Sequence, residues 1–446
     1  MSVELATVLI LLNLVLFLIA GFPVAFSLMG ISILWLVGLN GLNVVSIIPA
    51  TIFDTATTEI FIAAPLFIFM AVALERVGIG TLLYEAIHSW TTGIPGGLAV
   101  GTVIAATLIA AMTGIGGTAV LVLGVLSIPE MVRRGYDLKL AIGGLPPGGA
   151  LGVLIPPTVI GVLLGGFAGI PIGSLFFGAA IPGFLIAFLF CLYIVVRCLI
   201  NPSLAPRVPV EERPTLRQRL VVTRQIIAPA LLIFIVLGSI WGGVATPSEA
   251  AGVGAFGTIV IALFRGRLTV GSFIEILRTS TLVSVMVMAL LAGGALFSRL
   301  LQFSGSARLL SQYIVGIDAG VTGTILIFLA IIIILGMFID GAAIIFIVTP
   351  IMMPVVTMLG IDTVWFGVMV MVCIAIGYVT PPFGMNLFYL SGILDQIKTR
   401  PGMEAVKDVS VTDIWAACFP YVLLMVAAVI AILIWPELAT WLPSRM

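Results

Sequence analysis

The sequence predicts an all-α polytopic membrane protein, an inverted two-fold repeat with two re-entrant helical hairpins and two broken helices. Three observations lead there. The chain is far more apolar than a soluble protein. Proline and glycine landmarks recur at a constant offset of 225 residues. A basic loop in the first half has a repeat equivalent with no basic residue.

Of 446 residues, 61% are hydrophobic and 9% charged. An ordinary soluble domain has about 45–50% apolar and about 25% charged residues. Mean hydropathy is +1.33. Apolar runs long enough to cross a bilayer recur along the whole length. The first, from Leu5 to Ala20, precedes no polar domain, so it reads as a retained span and not a cleaved signal. Net charge is zero, which gives no hint of nucleic acid. Cys191, Cys198, Cys373 and Cys418 lie in apolar runs without metal-ligand spacing and read as small buried hydrophobes. His88 is the single histidine, so no histidine metal cluster and no Ser-His-Asp triad can be assembled.

The repeat is read directly from the residues. Pro129, Gly135 and Asp137 meet Pro354, Gly360 and Asp362 at an offset of 225. Gly152 and Pro156-Pro157 meet Gly377 and Pro381-Pro382 at the same offset. Pro23 and Gly30 meet Pro247 and Gly254 at 224. The first repeat therefore covers 1–200 and the second 225–446. The joint, 201–224, holds Arg207, Arg213, Arg217, Arg219 and Arg224 against two glutamates. The positive-inside rule puts it in the cytoplasm. Arg133-Arg134-Lys139, Arg265-Arg267 and Lys398-Arg400-Lys407 should share that face, with Arg299 as the exception. Residues 132–139 carry three basic residues and their equivalents at 357–364 carry none, so the halves are inverted.

Each half then needs a segment that enters and returns on one side. The first hairpin is 97–132, with its tip at Thr113-Gly114-Ile115-Gly116-Gly117-Thr118. The second is 321–356, with its tip near Gly336-Met337-Phe338-Ile339-Asp340-Gly341. Irregular backbone at membrane depth survives only where protein or a water-filled cavity covers it, so the two tips are expected to meet inside the protein. A Pro-Pro break follows each hairpin, within 140–167 and within 363–394. Proline removes a donor and clashes with the preceding turn, so the helix stops there. The freed carbonyls suit a cation, and the freed N–H groups an anion. Thr158, Thr380 and Asn386 add side-chain oxygens. Pro146-Pro147 adds a further kink. Asp340 stands alone between Asp318 and Asp362 in an apolar run. A carboxylate at mid-bilayer costs about 2.5–3.5 kcal/mol, so this residue is expected to hold a cation, a substrate group or a proton. Glu249 reads as a first-turn acid.

With these pieces in place, the chain resembles the large, DctM-type membrane subunit of tripartite ATP-independent periplasmic (TRAP) transporters. The matching stretches include GFPVAFSLMG (21–30), IPEMVRRGYD (128–137), GALGVLIPPT (149–158), ATPSEAAGVGAFG (245–257), and GMFIDGAAIIFIVTP through TPPFGMNLF (336–388). The first tip reads TGIGGT where the family usually has Ser-Gly-Ser followed by Ala-Thr, and Pro-Pro-Thr replaces Pro-Pro-Ser. The resemblance implies a sodium-coupled importer of organic acids in the bacterial inner membrane, working by an elevator motion. It implies a periplasmic binding protein and a separate small four-helix, DctQ-type subunit as partners, and no cofactor beyond the coupling sodium. Carried over by motif, one sodium site uses Thr113, Gly114, Thr118, Pro156, Pro157 and Thr158. The other uses Gly336, Gly341, Thr380, Pro381 and Asn386. Substrate would lie near Thr113, Thr158 and Asp340.

Two other readings compete. A proton-coupled or ion-exchange relative would use Asp340 as the proton carrier. A membrane-embedded enzyme is disfavoured, because no paired carboxylates, Cys/His ligands or serine–base arrangement can be assembled. An open channel lacks a ring of like charges or a repeated filter loop.

Overall fold

The computed structural model describes residues 1–446 except Ile115, Arg207, Val210, Glu212, Ile317 and Asp318. The middle of the first tip at Ile115, the linker residue Arg207 and Asp318 thus lie outside the described residues.

The described chain is helical throughout. The first part contains α1 (Val3–Ile19), α2 (Val24–Asn40), α3 (Ile47–Thr57), α4 (Ala63–Arg76), α5 (Ile79–Thr91), α6 (Gly97–Thr113), α7 (Gly116–Arg133), α8 (Leu138–Gly143), α9 (Leu145–Ala150), α10 (Val159–Ala168) and α11 (Ile172–Ile200). After α12 (Leu216–Arg224) come α13 (Ile227–Trp241), α14 (Pro247–Phe264), α15 (Val270–Phe303), α16 (Ser306–Gly316), α17 (Gly320–Gly336), α18 (Gly341–Met358), α19 (Thr363–Gly377), α20 (Met385–Ile397) and α21 (Val411–Ile434). Among the described residues, six helices are long and apolar enough to cross a membrane, or up to eight if each bent pair is one span. The two bent pairs are α3 with the segment Glu59–Arg76, at 59°, and α12 with α13, at 53°.

Two bodies form. In one, α15 lies along α2, α3 and α4, and α14 packs on α4 and α13. In the other, α6 and α7 pair as a hairpin, α17 and α18 as a second, and α8 to α11 and α19 to α21 surround them. The bodies meet where α18 crosses α15 and where α4 reaches α6. At the first crossing a Cβ on Gly294 would come within 2.6 Å of the Phe346 side chain, so glycine lets the helices approach.

The landmark residues of the sequence are local folding devices. Gly135 and Gly360 hold the left-handed φ values of 75° and 64° that end α7 and α18. The next landmarks, Asp137 and Asp362, cap the helices that follow. Asp137 accepts the Leu140 N–H at 3.0 Å, and Asp362 accepts that of Trp365 at 2.8 Å. Glu249 closes a capping box with Thr246, whose backbone N–H it accepts at 2.8 Å. That is the first-turn role the sequence suggested. The four cysteines are free thiols, three buried and Cys191 half-buried.

Two of the arginine-bearing loops touch the linker or its end. Asp137 N–H donates to the Leu204 carbonyl of the linker at 2.8 Å. The Arg265 guanidinium donates to the Gln225 carbonyl.

Candidate functional site

The first break follows α9. A 3-10 turn, Leu151–Val153, leads into irregular backbone at 154–158, and every residue from 151 to 160 is buried. Such backbone needs partners for its polar groups. Thr158, 0% exposed, supplies one: its Oγ accepts the Gly161 N–H at 2.7 Å and caps α10. The Pro156-Pro157 peptide bond is cis, as is Pro381-Pro382.

The first tip rests on this break. Gly114 ends α6 with φ +63°, and its N–H donates to Ala110 O at 2.8 Å. A Cβ there would stand 3.0 Å from Val159 N and 3.4 Å from Pro157 O, so backbone meets backbone. Thr113 is buried, with its hydroxyl 3.4 Å from Ala110 O. It also borders a cavity of about 460 Å³ whose other walls include Glu75, Arg76, Thr81 and Thr279. Thr118 is half-buried in the first turn of α7. Just before the break, a Cβ on Gly152 would meet Ala110 O at 2.8 Å, so the broken helix and the hairpin touch there too.

The second tip repeats this contact. A Cβ on Gly377 would lie 2.6 Å from the Gly336 Cα. Met337 O accepts the Gly384 N–H at 3.2 Å, joining tip to break. Tyr378 fixes the rest. Its hydroxyl donates to Asp340 Oδ1 at 2.9 Å and accepts the Gly341 N–H at 3.0 Å. The other carboxylate oxygen accepts the Ala342 N–H at 2.9 Å and caps α18. Thr380 donates to Ile376 O at 2.7 Å, which leaves its oxygen lone pairs as acceptors. Pro381 is half-buried, while Pro382 and Phe383 are exposed.

The two halves interlock across the site. A Cβ on Gly117, in the first turn of α7, would overlap the Tyr389 ring of α20, and one on Gly124 would meet Ile393. Reciprocally, a Cβ on Gly341 would lie 3.3 Å from Ile160 of α10. Asn386, 1% exposed, donates to Pro146 O at 2.9 Å. Pro146-Pro147 is thereby accounted for. The prolines open the first turn of α9, where missing N–H groups cost little, and the Pro146 carbonyl receives a partner from the opposite half.

Where the tips were expected to meet, the contacts across the halves among the described residues run from each tip region to the half-helix after the other half's break, Gly117 against Tyr389 and Gly341 against Ile160. One expectation needs correction. Asp340 was expected to be an enclosed charge. It is exposed: the tip residues Phe338 and Asp340 lie at the surface of the chain, and the carboxylate is held there by Tyr378 and the Ala342 N–H. The sequence reading also passed over Tyr378 and Tyr389, and over exposed Phe338, Phe383 and Phe388, whose neighbouring rings lie 5.8 and 5.7 Å apart. The signal was present: all five aromatics fall within the tip-and-break stretches.

A chain this apolar, helical through its described residues and with six to eight candidate spans among them, is a multi-pass helical membrane protein. The family description "Tripartite ATP-independent periplasmic transporter, DctM component" matches residues 11–438, and the chain belongs to that family. It is a transporter permease of the bacterial inner membrane and not an enzyme. Relatives include the isethionate TRAP transporter permease protein DctMQ of Oleidesulfovibrio alaskensis. It is 31% identical over 85% of this chain, and the match spans 59% of the relative's own length. The C4-dicarboxylate large permease DctM of Pseudomonas aeruginosa is 30% identical over 77% of this chain and 79% of its own. The ectoine large permease TeaC of Halomonas elongata is 26% identical over 95% and 96%. Among solved structures, the Alcanivorax borkumensis YdaH transporter aligns with a TM-score of 0.64 at 16% identity, covering 91% of this chain and 89% of its own. Neisseria gonorrhoeae MtrF aligns with a TM-score of 0.60 at 15% identity, covering 91% and 85%. These two likenesses concern the fold.

Proposed function

We propose that this chain is the large permease of a sodium-coupled importer of an organic acid, delivered by a periplasmic binding protein, with the two halves inverted in the membrane. The hairpins and broken helices act as a transport body that slides as an elevator against the body built on α15. The observation that carries this reading is the docking of each tip on the Pro-Pro break of its own half. That docking brings irregular backbone from two elements together twice. The carbonyls and hydroxyls there are hard oxygen donors, the ligand type a small alkali cation takes. At the first pair the residues are Thr113, Gly114, Thr118, Pro156, Pro157 and Thr158. At the second they are Gly336, Gly341, Thr380, Pro381 and Asn386. The substrate lies between, near Thr113, Thr158 and Asp340. Among the described residues, no group of three His, Cys, Asp or Glu side chains is placed to hold a metal ion.

Partners follow from the family. The DctMQ relative carries both letters in one name, and 59% coverage of it leaves length for a second component. A separate small DctQ-type subunit is proposed here, together with the binding protein. Named cargoes of relatives are isethionate, C4-dicarboxylates and ectoine, so the cargo class is small organic solutes, with an organic acid preferred.

The test is uptake into proteoliposomes that hold this chain and its small subunit, with the binding protein outside. The cargo is found first by a thermal-shift ligand screen of the partner binding protein, sought in the genomic neighbourhood of this chain. Uptake should require both an inward sodium gradient and the binding protein. Import without sodium would overturn the coupling. Import that follows a proton gradient alone would move the coupling to Asp340, whose carboxylate already has a hydroxyl partner in Tyr378.

A further inference from the structure

We propose that α12 is an interfacial anchor that binds the headgroups of anionic phospholipids. The helix carries Arg217, Arg219 and Arg224 in nine residues. At 100° per residue, Leu216, Arg217, Leu220, Val221 and Arg224 share one side. That side is uncovered by the chain: Leu216 is 64% exposed, Leu220 55% and Val221 57%. The opposite side is committed to α5. Arg219 sits over the Trp90 ring at 5.7 Å, and the Trp90 indole N–H donates to Thr223 Oγ at 2.9 Å.

The direction of the helix supplies the second argument. It departs by 53° from the axis of the apolar helix α13 that follows it, so it leaves the span for the membrane surface. There the three aliphatic side chains reach the acyl boundary. Arg217 and Arg224, interleaved with them, extend outward to the phosphates. The guanidinium fork matches a phosphodiester. Because the inner side of α12 holds Trp90, lipid bound outside also steadies α5, the segment that joins α4 to the first hairpin. This inference needs the membrane setting, not the sodium-coupled reading.

The test uses the full chain in detergent, titrated with phosphatidylglycerol or phosphatidylcholine and read by native mass spectrometry. Wild type should retain phosphatidylglycerol preferentially. R217E/R224E should bind it at least about fivefold more weakly, the effect of losing one basic contact at an anionic surface. Should that variant lose its monodispersity, R217Q/R224Q provides the same comparison. Excess inorganic phosphate should leave the lipid bound. Equal retention of the two lipids, unchanged binding by the variants, or displacement by phosphate alone would each overturn the proposal.

Discussion

The side-chain amide of Asn386 donates a 2.9 Å hydrogen bond to the carbonyl of Pro146, and both residues are buried. The two are 240 positions apart, one opening the half-helix after the second break, the other opening α9. This polar contact ties the broken helices of the two halves.

Replacing Asn386 with Leu leaves the Pro146 carbonyl without that partner inside the protein. The expected loss of stability is about 1–3 kcal/mol. A lowered midpoint in thermal unfolding in detergent, with reduced uptake, is the predicted result. An unchanged midpoint would show that another group satisfies the carbonyl.

Asp340 permits a sharper separation. Asp340→Asn keeps one oxygen to accept the Ala342 N–H, so the cap survives, and turns its amide NH2 toward the Tyr378 hydroxyl oxygen, which can accept it; the charge is removed. Under sodium coupling this variant should retain substantial uptake, whereas Asp340→Ala should lose uptake and about 1 kcal/mol of cap stability. Loss of uptake by the Asn variant, with normal folding, would assign the charge itself to transport. Membrane insertion, measured in parallel, controls for expression.

Gly377→Ala forces a methyl to 2.6 Å from the Gly336 Cα, where no flexible side chain is present to move aside. Overpacking of this kind costs about 1–3 kcal/mol, and here it falls on the tip–break contact. The sodium concentration for half-maximal uptake should rise. Gly392→Ala, with nothing within 4 Å, should behave as wild type in the same assay.

Thr158→Ser retains the oxygen that caps α10; Thr158→Val removes it in a fully buried position. Valine should cost about 1–2 kcal/mol and abolish sodium-dependent uptake, with serine near normal. Equal behaviour of the two variants would exclude the hydroxyl from the site.

Much of this was legible because the informative residues act locally. Gly135 and Gly360 turn the chain, Asp137 and Asp362 cap the next helix, and proline pairs stop one. Local devices leave a trace at a fixed spacing, so the ends of helices such as α6, α7, α18 and α19 are legible within a few residues. What could not be read was pairing across the halves. No pattern in the chain says that Gly117 receives Tyr389, or that Asn386 reaches Pro146. Those contacts depend on how the two halves of the chain settle against each other within one body. Asp340 shows the same limit from the other side: an isolated acid in an apolar run looks enclosed until the helix it caps is seen.

The two Pro-Pro breaks differ in one respect. Every residue from 151 to 160 around the first is buried, while the second leaves Pro382 and Phe383 uncovered. A cation seated at the first would have to wait for the protein to move before it could leave. One at the second could exchange with its surroundings while everything else stayed still. The expected release is therefore staggered in time, with a fast phase and a slow one. The slow phase would report how often the tip lifts from its seat at Val159.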